Sequence, residues 1–275
     1  MPLKTSPNFS FEKKIWHVKP TRQWTTCLPR DPARRDFTGW RKGFAFVAGV
    51  DEAGRGAWAG PIVAAACAFA PQIKNTKIKM QKGGIVIDDS KRLKPHQREL
   101  AAKWIKENAP AWDVSEVGVG VINKYGIGKA TAKVMRKAIC QLLSRRVTRV
   151  GEPQRRGPEL VSRRKGSGAD ERQDPSPTNL FLLVDGFHVK YLPGGAKNQK
   201  AIVHGDQKSI SIAAASILAK VHRDKIMRRL GRNPRCKVYG WGRNKGYGTK
   251  FQQKAILRYG LTKLHRKKFV KTWQG

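Results

Sequence analysis

An α/β or mixed α+β fold is predicted by two observations: short apolar runs alternate with longer stretches of helical period, and three of those runs end in acidic residues. The first run, residues 44–50, ends in Asp51-Glu52. A second, residues 60–70, follows a glycine-rich turn, so the pair reads as a β-hairpin. A helix is predicted over 94–108, with Pro95 suited to its first turn and Leu100 and Trp104 one turn apart. Residues 114–121 have strand character. Over 129–143, Ala130, Val134, Ala138 and Leu142 recur at four-residue spacing, the mark of a core-facing helix. Apolar strands at 180–184 and 200–204 deliver Asp185 and Asp206. A long helix follows over 209–230, where Ala213-Ala214-Ala215 permits close packing on a sheet. The last ordered unit is a helix over 249–259, stopped by Gly260.

Two segments fall outside this pattern. Residues 1–43 form a basic extension carrying Trp16, Trp24 and Trp40 without helical or strand period. It reads as a flexible tail, or as an arm that lays cations on phosphates and indoles on bases. Residues 145–178 are rich in Arg, Gly, Glu, Pro and Ser with almost no large apolar side chains, and read as a disordered insertion. The remainder, 44–275, is read as one domain, and 39% hydrophobic residues supply a core for it.

Lys and Arg number 57 against 19 Asp and Glu, a net charge of +38 that attracts polyanions. Nucleic acid is the expected partner. A membrane is not, because no run of about 18 apolar residues exists and no helix is basic on one clean face. Cys27, Cys67, Cys140 and Cys236 form no CxxC pair, so neither a zinc site nor a redox motif is indicated and a reducing compartment, the cytoplasm, fits. Residues 1–42 lack the apolar core of a secretory signal, though they loosely meet the composition of a transit peptide.

In so basic a chain, acids at strand ends are informative, because clustered carboxylates repel unless a cation offsets them. Hydrolysis of a phosphodiester needs an activated water, a stabilised pentacovalent phosphorus and a neutralised leaving oxygen, which two divalent ions held by hard oxygen ligands supply. Asp51, Glu52, Asp185 and Asp206 are the candidates. Taken singly, each reads more readily as a turn or cap residue: Asp185-Gly186 is a turn signal, and Asp206 is placed to cap the helix that follows.

A resemblance joins them. Ala48-Gly49-Val50-Asp51-Glu52-Ala53-Gly54-Arg55-Gly56, followed by Ala59-Gly60-Pro61-Ile62-Val63, closely resembles the signature of the ribonuclease HII family. Asp89-Ser90-Lys91 looks like that family's DSK element, Val184-Asp185-Gly186 like its third metal-binding position, and Gly205-Asp206-Gln207-Lys208-Ser209 like its fourth. Asn244 to Thr249 and His265-Arg266 are similar to its C-terminal pattern. The chain departs from the family at Ala57, usually proline, at Trp58, usually a smaller residue, before Asn123, where an acid is common, and at Lys267-Lys268 after His265-Arg266.

The resemblance implies a ribonuclease H-like fold, a mixed five-stranded sheet flanked by helices with a C-terminal helical segment. It implies Mg2+ or Mn2+ bound by Asp51, Glu52, Asp185 and Asp206, and cleavage 5′ of ribonucleotides embedded in duplex DNA. It further implies that Gly54, Arg55 and Gly56 read the 2′-hydroxyl and that Tyr247 stacks on the neighbouring deoxyribose. Arg55 read by itself fits a plain phosphate clamp equally, and Tyr247 a half-buried core aromatic. Lys91 and Lys208 are candidate phosphate contacts or simply solvated lysines; His222 and His265 are read as structural. A monomer is expected, and docking on a replication clamp is left open. The competing readings are a ribonuclease HIII-like enzyme, against which Arg55 argues because lysine is usual there, a non-catalytic nucleic-acid binder on the same fold, and a basic ribosome-associated protein.

Overall fold

The structure, a computed structural model, describes residues 7–16, 46–69, 85–144, 180–192 and 198–274. Strands β1 (Phe46–Ala53) and β2 (Ile62–Phe69) form the expected antiparallel hairpin, and β3 (Ala111–Val117) pairs antiparallel with β2. On the other side of β1, β4 (Leu180–Asp185) and β5 (Gln199–Ile202) add in parallel, giving the order β3-β2-β1-β4-β5. The mixed five-stranded sheet is therefore present. Val50 pairs with Val184, so Asp51 and Asp185 leave adjacent strands side by side.

Strand alternation sorts the core into two layers. Val47, Val63, Ala65, Cys67, Phe69 and Leu183 pack with the helix α4 (Ile210–Arg232). Ala48, Val50, Ala64, Ala66, Leu182 and Val184 pack with α3 (Val119–Ser144), where Ala130, Val134, Ala138 and Leu142 are all buried. Each fully buried Ile or Leu contributes about 1.5–3 kcal/mol of transfer free energy. The α4 contact is unusually close: a Cβ on Gly49 would lie 2.0 Å from the backbone carbon of Ser211, so only glycine lets the two backbones meet there.

Several boundaries differ from expectation. Residues 114–121 divide between β3 and α3, because Val119 begins a helical stretch that breaks at Gly126 (φ 83°) and then runs on as the predicted helix. In α2 (Pro95–Asn108) the buried face is Ala101, Ala102 and Ile105, with Trp104 partly buried against the same core, while Leu100 is exposed. The helix predicted over 249–259 is present as α6 (Lys250–Tyr259), while the helix beyond Gly260, α7 (Lys267–Gln274), was not foreseen. Together with the short α5 (Trp241–Asn244), they surround Trp241, Tyr239, Ile256 and Val270. Residues 7–16, inside the stretch read as an extension, carry a helix α1 (Ser10–Trp16) and pack on the domain, with Phe9 edge-on to Phe69 at 5.9 Å. The segment 145–178 lies outside the described residues.

Candidate active site

Strand ends place the acids. Asp51 and Glu52 lie at the C-terminal end of β1, Asp185 closes β4, and Asp206 sits in a 3-10 turn (Gly205–Gln207) between β5 and α4. That turn is locked onto β4, because the Gly205 N–H donates to Asp185 Oδ1 at 2.7 Å. It follows His204, a non-glycine residue in the left-handed region (φ 53°), a conformation that is held only where surrounding structure enforces it.

The four carboxylates feel one another. Burial first, then the charges of Glu52 and Asp185, raise the Asp51 pKa well above the usual carboxylate range, against a hydrogen bond from Ser216. Burial also lifts Glu52 to about 7, opposed by Arg55 and Lys91 and reinforced by Asp185. Asp185 is raised by burial and by Asp206, with the Gly205 N–H and Lys91 working the other way. The local counter-charge is Lys91, whose ammonium lies 3.3 Å from Asp206 Oδ2. Burial disfavours that ammonium, but Asp206, Asp89 and Asp51 together outweigh it and raise its pKa. The Lys91 loop is fixed in turn: Asp89 accepts from the Lys91 N–H at 2.9 Å and from Gln207 Nε2 at 3.2 Å, and the Ser90 and Ser216 hydroxyls pair at 2.9 Å.

The Gly54-Arg55-Gly56 turn leaves β1 immediately after Glu52. Gly54 has φ 92°, and a Cβ there would lie 1.9 Å from Arg223 Nε, so both conformation and space demand glycine. Two wholly buried arginines, not anticipated as functional, hold this turn. Arg266 donates to the carbonyls of Gly54 (2.7 Å), Arg55 (3.0 Å), Gly60 (3.1 Å) and Pro61 (3.0 Å). Arg223 donates to Ala59 (3.1 Å), Pro61 (3.1 Å) and Lys245 (2.9 Å). Burial, with Arg223 nearby, lowers Arg266 to about 9, which still leaves it charged at neutral pH. Backbone bonds complete the frame: Trp58 N–H to Gly246 at 2.7 Å, Gly60 N–H to Leu264 at 2.9 Å, and Arg266 N–H to Trp58 at 2.7 Å.

The frame brings Tyr247 to the turn. Its ring is partly exposed, with the Arg223 guanidinium 5.4 Å and the Lys220 ammonium 5.9 Å from its centroid. The exposed Arg55 side chain reaches back to the acids, Nη1 lying 3.8 Å from Glu52 Oε1, and its guanidinium stands 5.9 Å over Phe187. Gly56 is open, with nothing within 4 Å of where a Cβ would be. Lys208 is turned to the Val203 carbonyl at 2.8 Å rather than toward the acids. His265 is buried against Tyr239 and Trp241, and its Nδ1 accepts from the Thr262 N–H at 2.9 Å; His222 sits at the surface beside Glu116 at 3.4 Å.

Among the described residues, no three His, Cys, Asp or Glu side chains are grouped closely enough to hold a metal ion as they stand. The donor set nevertheless fits a hard divalent cation: the acids are carboxylate oxygens whose mutual repulsion is only partly offset by Lys91. Lys91 is also the most exposed of the group, with 78% of its side chain accessible, so it can yield its place. No helix among the described residues is long and apolar enough to cross a membrane.

Comparisons with known proteins establish the family and the fold. The sequence model described as Ribonuclease HII matches residues 48–157 and 181–272. The Ribonuclease HII of Clostridioides difficile is 38% identical over 85% of this chain and 73% of its own length. Among solved structures, the RNase HII of Archaeoglobus fulgidus in complex with PCNA superposes with TM-score 0.54 at 20% identity, covering 80% of this chain and 93% of that one. Bst-RNase HIII in complex with Mn2+ superposes with TM-score 0.55 at 18% identity, covering 84% and 70%. At those identities the structures attest the shared ribonuclease H-like fold; the family rests on the sequence matches. The chain belongs to the ribonuclease HII family and is a metal-dependent endoribonuclease that hydrolyses RNA paired with DNA.

Proposed function

We propose that this chain cuts duplex DNA on the 5′ side of a single embedded ribonucleotide, leaving a 3′-hydroxyl and a 5′-phosphate, and so removes ribonucleotides from DNA. The observation that carries the reading is that Asp51 and Glu52 end β1 and the glycine turn follows them directly in the chain, so a phosphate at the acids puts its sugar at the turn. Asp51, Glu52, Asp185 and Asp206 hold two divalent cations, Mg2+ or Mn2+. When bound, such ions lower the pKa of the attacking water and neutralise charge on the phosphate and leaving oxygens. The Mn2+ complex of Bst-RNase HIII supports this choice of cofactor.

The chain's own residues supply placement. Gly54 and Gly56 let backbone approach the ribose, where only a 2′-hydroxyl can exchange hydrogen bonds with it. Arg55, tethered to Glu52, sits where it can bind the adjoining phosphate. Tyr247 presents its ring to the deoxyribose next to the junction, and Lys91 and Lys208 steady the backbone electrostatically. Arg55 in place of lysine favours this substrate over a long hybrid. The PCNA complex of the Archaeoglobus fulgidus protein supports adding a replication clamp to the partners. We take the chain to act as a monomer in the cytoplasm.

The test is a Mg2+ or Mn2+ cleavage assay on two labelled duplexes, one with a lone ribonucleotide and one a continuous RNA/DNA hybrid. Incision 5′ of the lone ribonucleotide is expected. Strong preference for the continuous hybrid overturns the substrate assignment in favour of a ribonuclease HIII-like enzyme, and binding without incision of either overturns catalysis.

A further inference from the structure

We infer that Glu12 is a positioning residue for the acid edge, fastening residues 7–16 across the turn that carries Asp206. The inference rests on the proposed site, and adds to it a segment that shares no strand or helix with the acids. Glu12 is fully buried, and its Oε1 accepts three hydrogen bonds: from Ser209 Oγ at 2.6 Å, from the Ser211 N–H at 3.0 Å and from Ser211 Oγ at 2.8 Å. The second oxygen, Oε2, is buried with no hydrogen-bond partner. A carboxylate in such a place costs desolvation that an apolar side chain would not, so packing alone does not account for it. What the charge meets is the first turn of the 23-residue helix α4, where N–H groups that lack a partner within the helix and the helix dipole favour an anion.

The fastening continues to the acids. Ser209, bound by Glu12, donates its N–H to the Gly205 carbonyl at 2.8 Å, and Gly205 in turn donates to Asp185 Oδ1 at 2.7 Å. Asp206 lies inside this relay. Backbone pairing doubles it: the Asn8 N–H donates to the Lys208 carbonyl at 3.4 Å, and the Ile210 N–H to the Asn8 carbonyl at 3.3 Å. Phe9 buries against Phe69 and keeps the strap seated. The turn that presents Asp206 is thus gripped on one side by Asp185 and on the other by Asn8 and Glu12. Removing Glu12 frees one side of the grip, leaving the Asp206 carboxylate less well held for a cation.

The test uses the full chain and Glu12→Ala, with Glu12→Gln as the conservative rescue because its amide oxygen can accept the same three bonds. Calorimetric titration with Mn2+ should show affinity in Glu12→Ala reduced roughly ten- to a hundredfold, the range seen when groups orienting metal ligands are removed. The Mn2+ concentration for half-maximal cleavage should rise in parallel. Metal-free duplex affinity and KM should stay as in the wild type, and amides of residues 204–210 should exchange faster in the variant. Glu12→Gln should restore most of each. Wild-type Mn2+ affinity in folded Glu12→Ala overturns the inference, as does unchanged exchange at 204–210. If Glu12→Ala does not fold, Ser211→Ala, which removes one side-chain bond to the same oxygen, is read by the same two criteria. A wild-type chain that neither binds Mn2+ nor cuts refutes the proposed function, whereas the exchange measurement judges the fastening independently of it.

Discussion

The acid edge and the glycine turn lie at the same end of β1, and they pose opposite electrostatic problems. At the turn, carbonyl oxygens of Gly54, Arg55, Ala59, Gly60 and Pro61 converge and are satisfied from within, by the buried guanidiniums of Arg223 and Arg266. At the acid edge, burial and mutual repulsion push Asp51, Glu52 and Asp185 toward protonation, and the protein offers only two exposed side chains, Lys91 beside Asp206 and Arg55 beside Glu52, in return. One cluster is complete when the chain folds. The other is left in deficit of positive charge, as the proposed cation site requires.

The sharpest way to break this contrast is to remove an acid. Asp51→Asn or Asp185→Asn should cut cleavage by about a thousandfold or more, the loss of several kcal/mol of metal-assisted stabilisation. Metal-free duplex binding should be largely kept, because the basic surface supplies it. Gel-shift and single-turnover assays on the same preparations decide the matter; retained cutting would sink the acid site.

Next in size is the turn. Arg266→Met keeps bulk but removes four hydrogen bonds to backbone carbonyls, leaving Pro61 with Arg223 and Gly54 with the Ala57 N–H, and should destabilise the fold by about 3–5 kcal/mol, read as a lower thermal midpoint. A midpoint within a degree of wild type would mean that the carbonyls find other donors.

A smaller effect sharpens the contrast through pH. The Glu52 pKa is raised to about 7 from an ordinary 4.5, so the folded state holds more protons than the unfolded state between those values. Its contribution to stability is therefore greatest below about 4.5 and is lost as pH rises through about 7, by at most about 3 kcal/mol. Thermal melts of metal-free protein between pH 5 and 8 should show this loss. Glu52→Gln should flatten it, and added Mn2+ should reverse it at the alkaline end; a slope unchanged in Glu52→Gln would assign the titration elsewhere.

The two clusters also differed in legibility. Asp51, Asp185 and Asp206 could be read because each follows an apolar run that folds as a strand, and parallel pairing of β1 with β4 then brings their ends together. Arg223 and Arg266 could not, because among 57 basic residues any arginine looks solvated. A signal existed for one of them. Ile212, Ser216, Ala219, Arg223 and Met227 recur at helical spacing, and all are buried, so Arg223 continues the core stripe of α4. Arg266 has no such periodicity around it, and its place in the His265-Arg266 pair of the family's C-terminal pattern did not say what it holds. Glu12 was hidden for a third reason: its burial depends on Ser209, 197 residues away, and nothing local to residues 7–16 announces that contact. Helix α7 escaped notice because its lysines at 267, 268 and 271 mask the buried Val270.

The parallel seam between β1 and β4 carries one more consequence. It joins Asp51 to Asp185 across all of β2, β3, α2 and α3, so the acid edge comes into being only when a long chain segment closes on itself. Non-local closure of this kind is slow, and the Asp51 and Asp185 carboxylates should be among the last groups to reach native geometry during refolding. Closure is also forgiving of length, since doubling such a loop costs only about 0.6 kcal/mol. The span between the two strands is therefore where the chain can lengthen most cheaply, and residues 145–178 lie within that span.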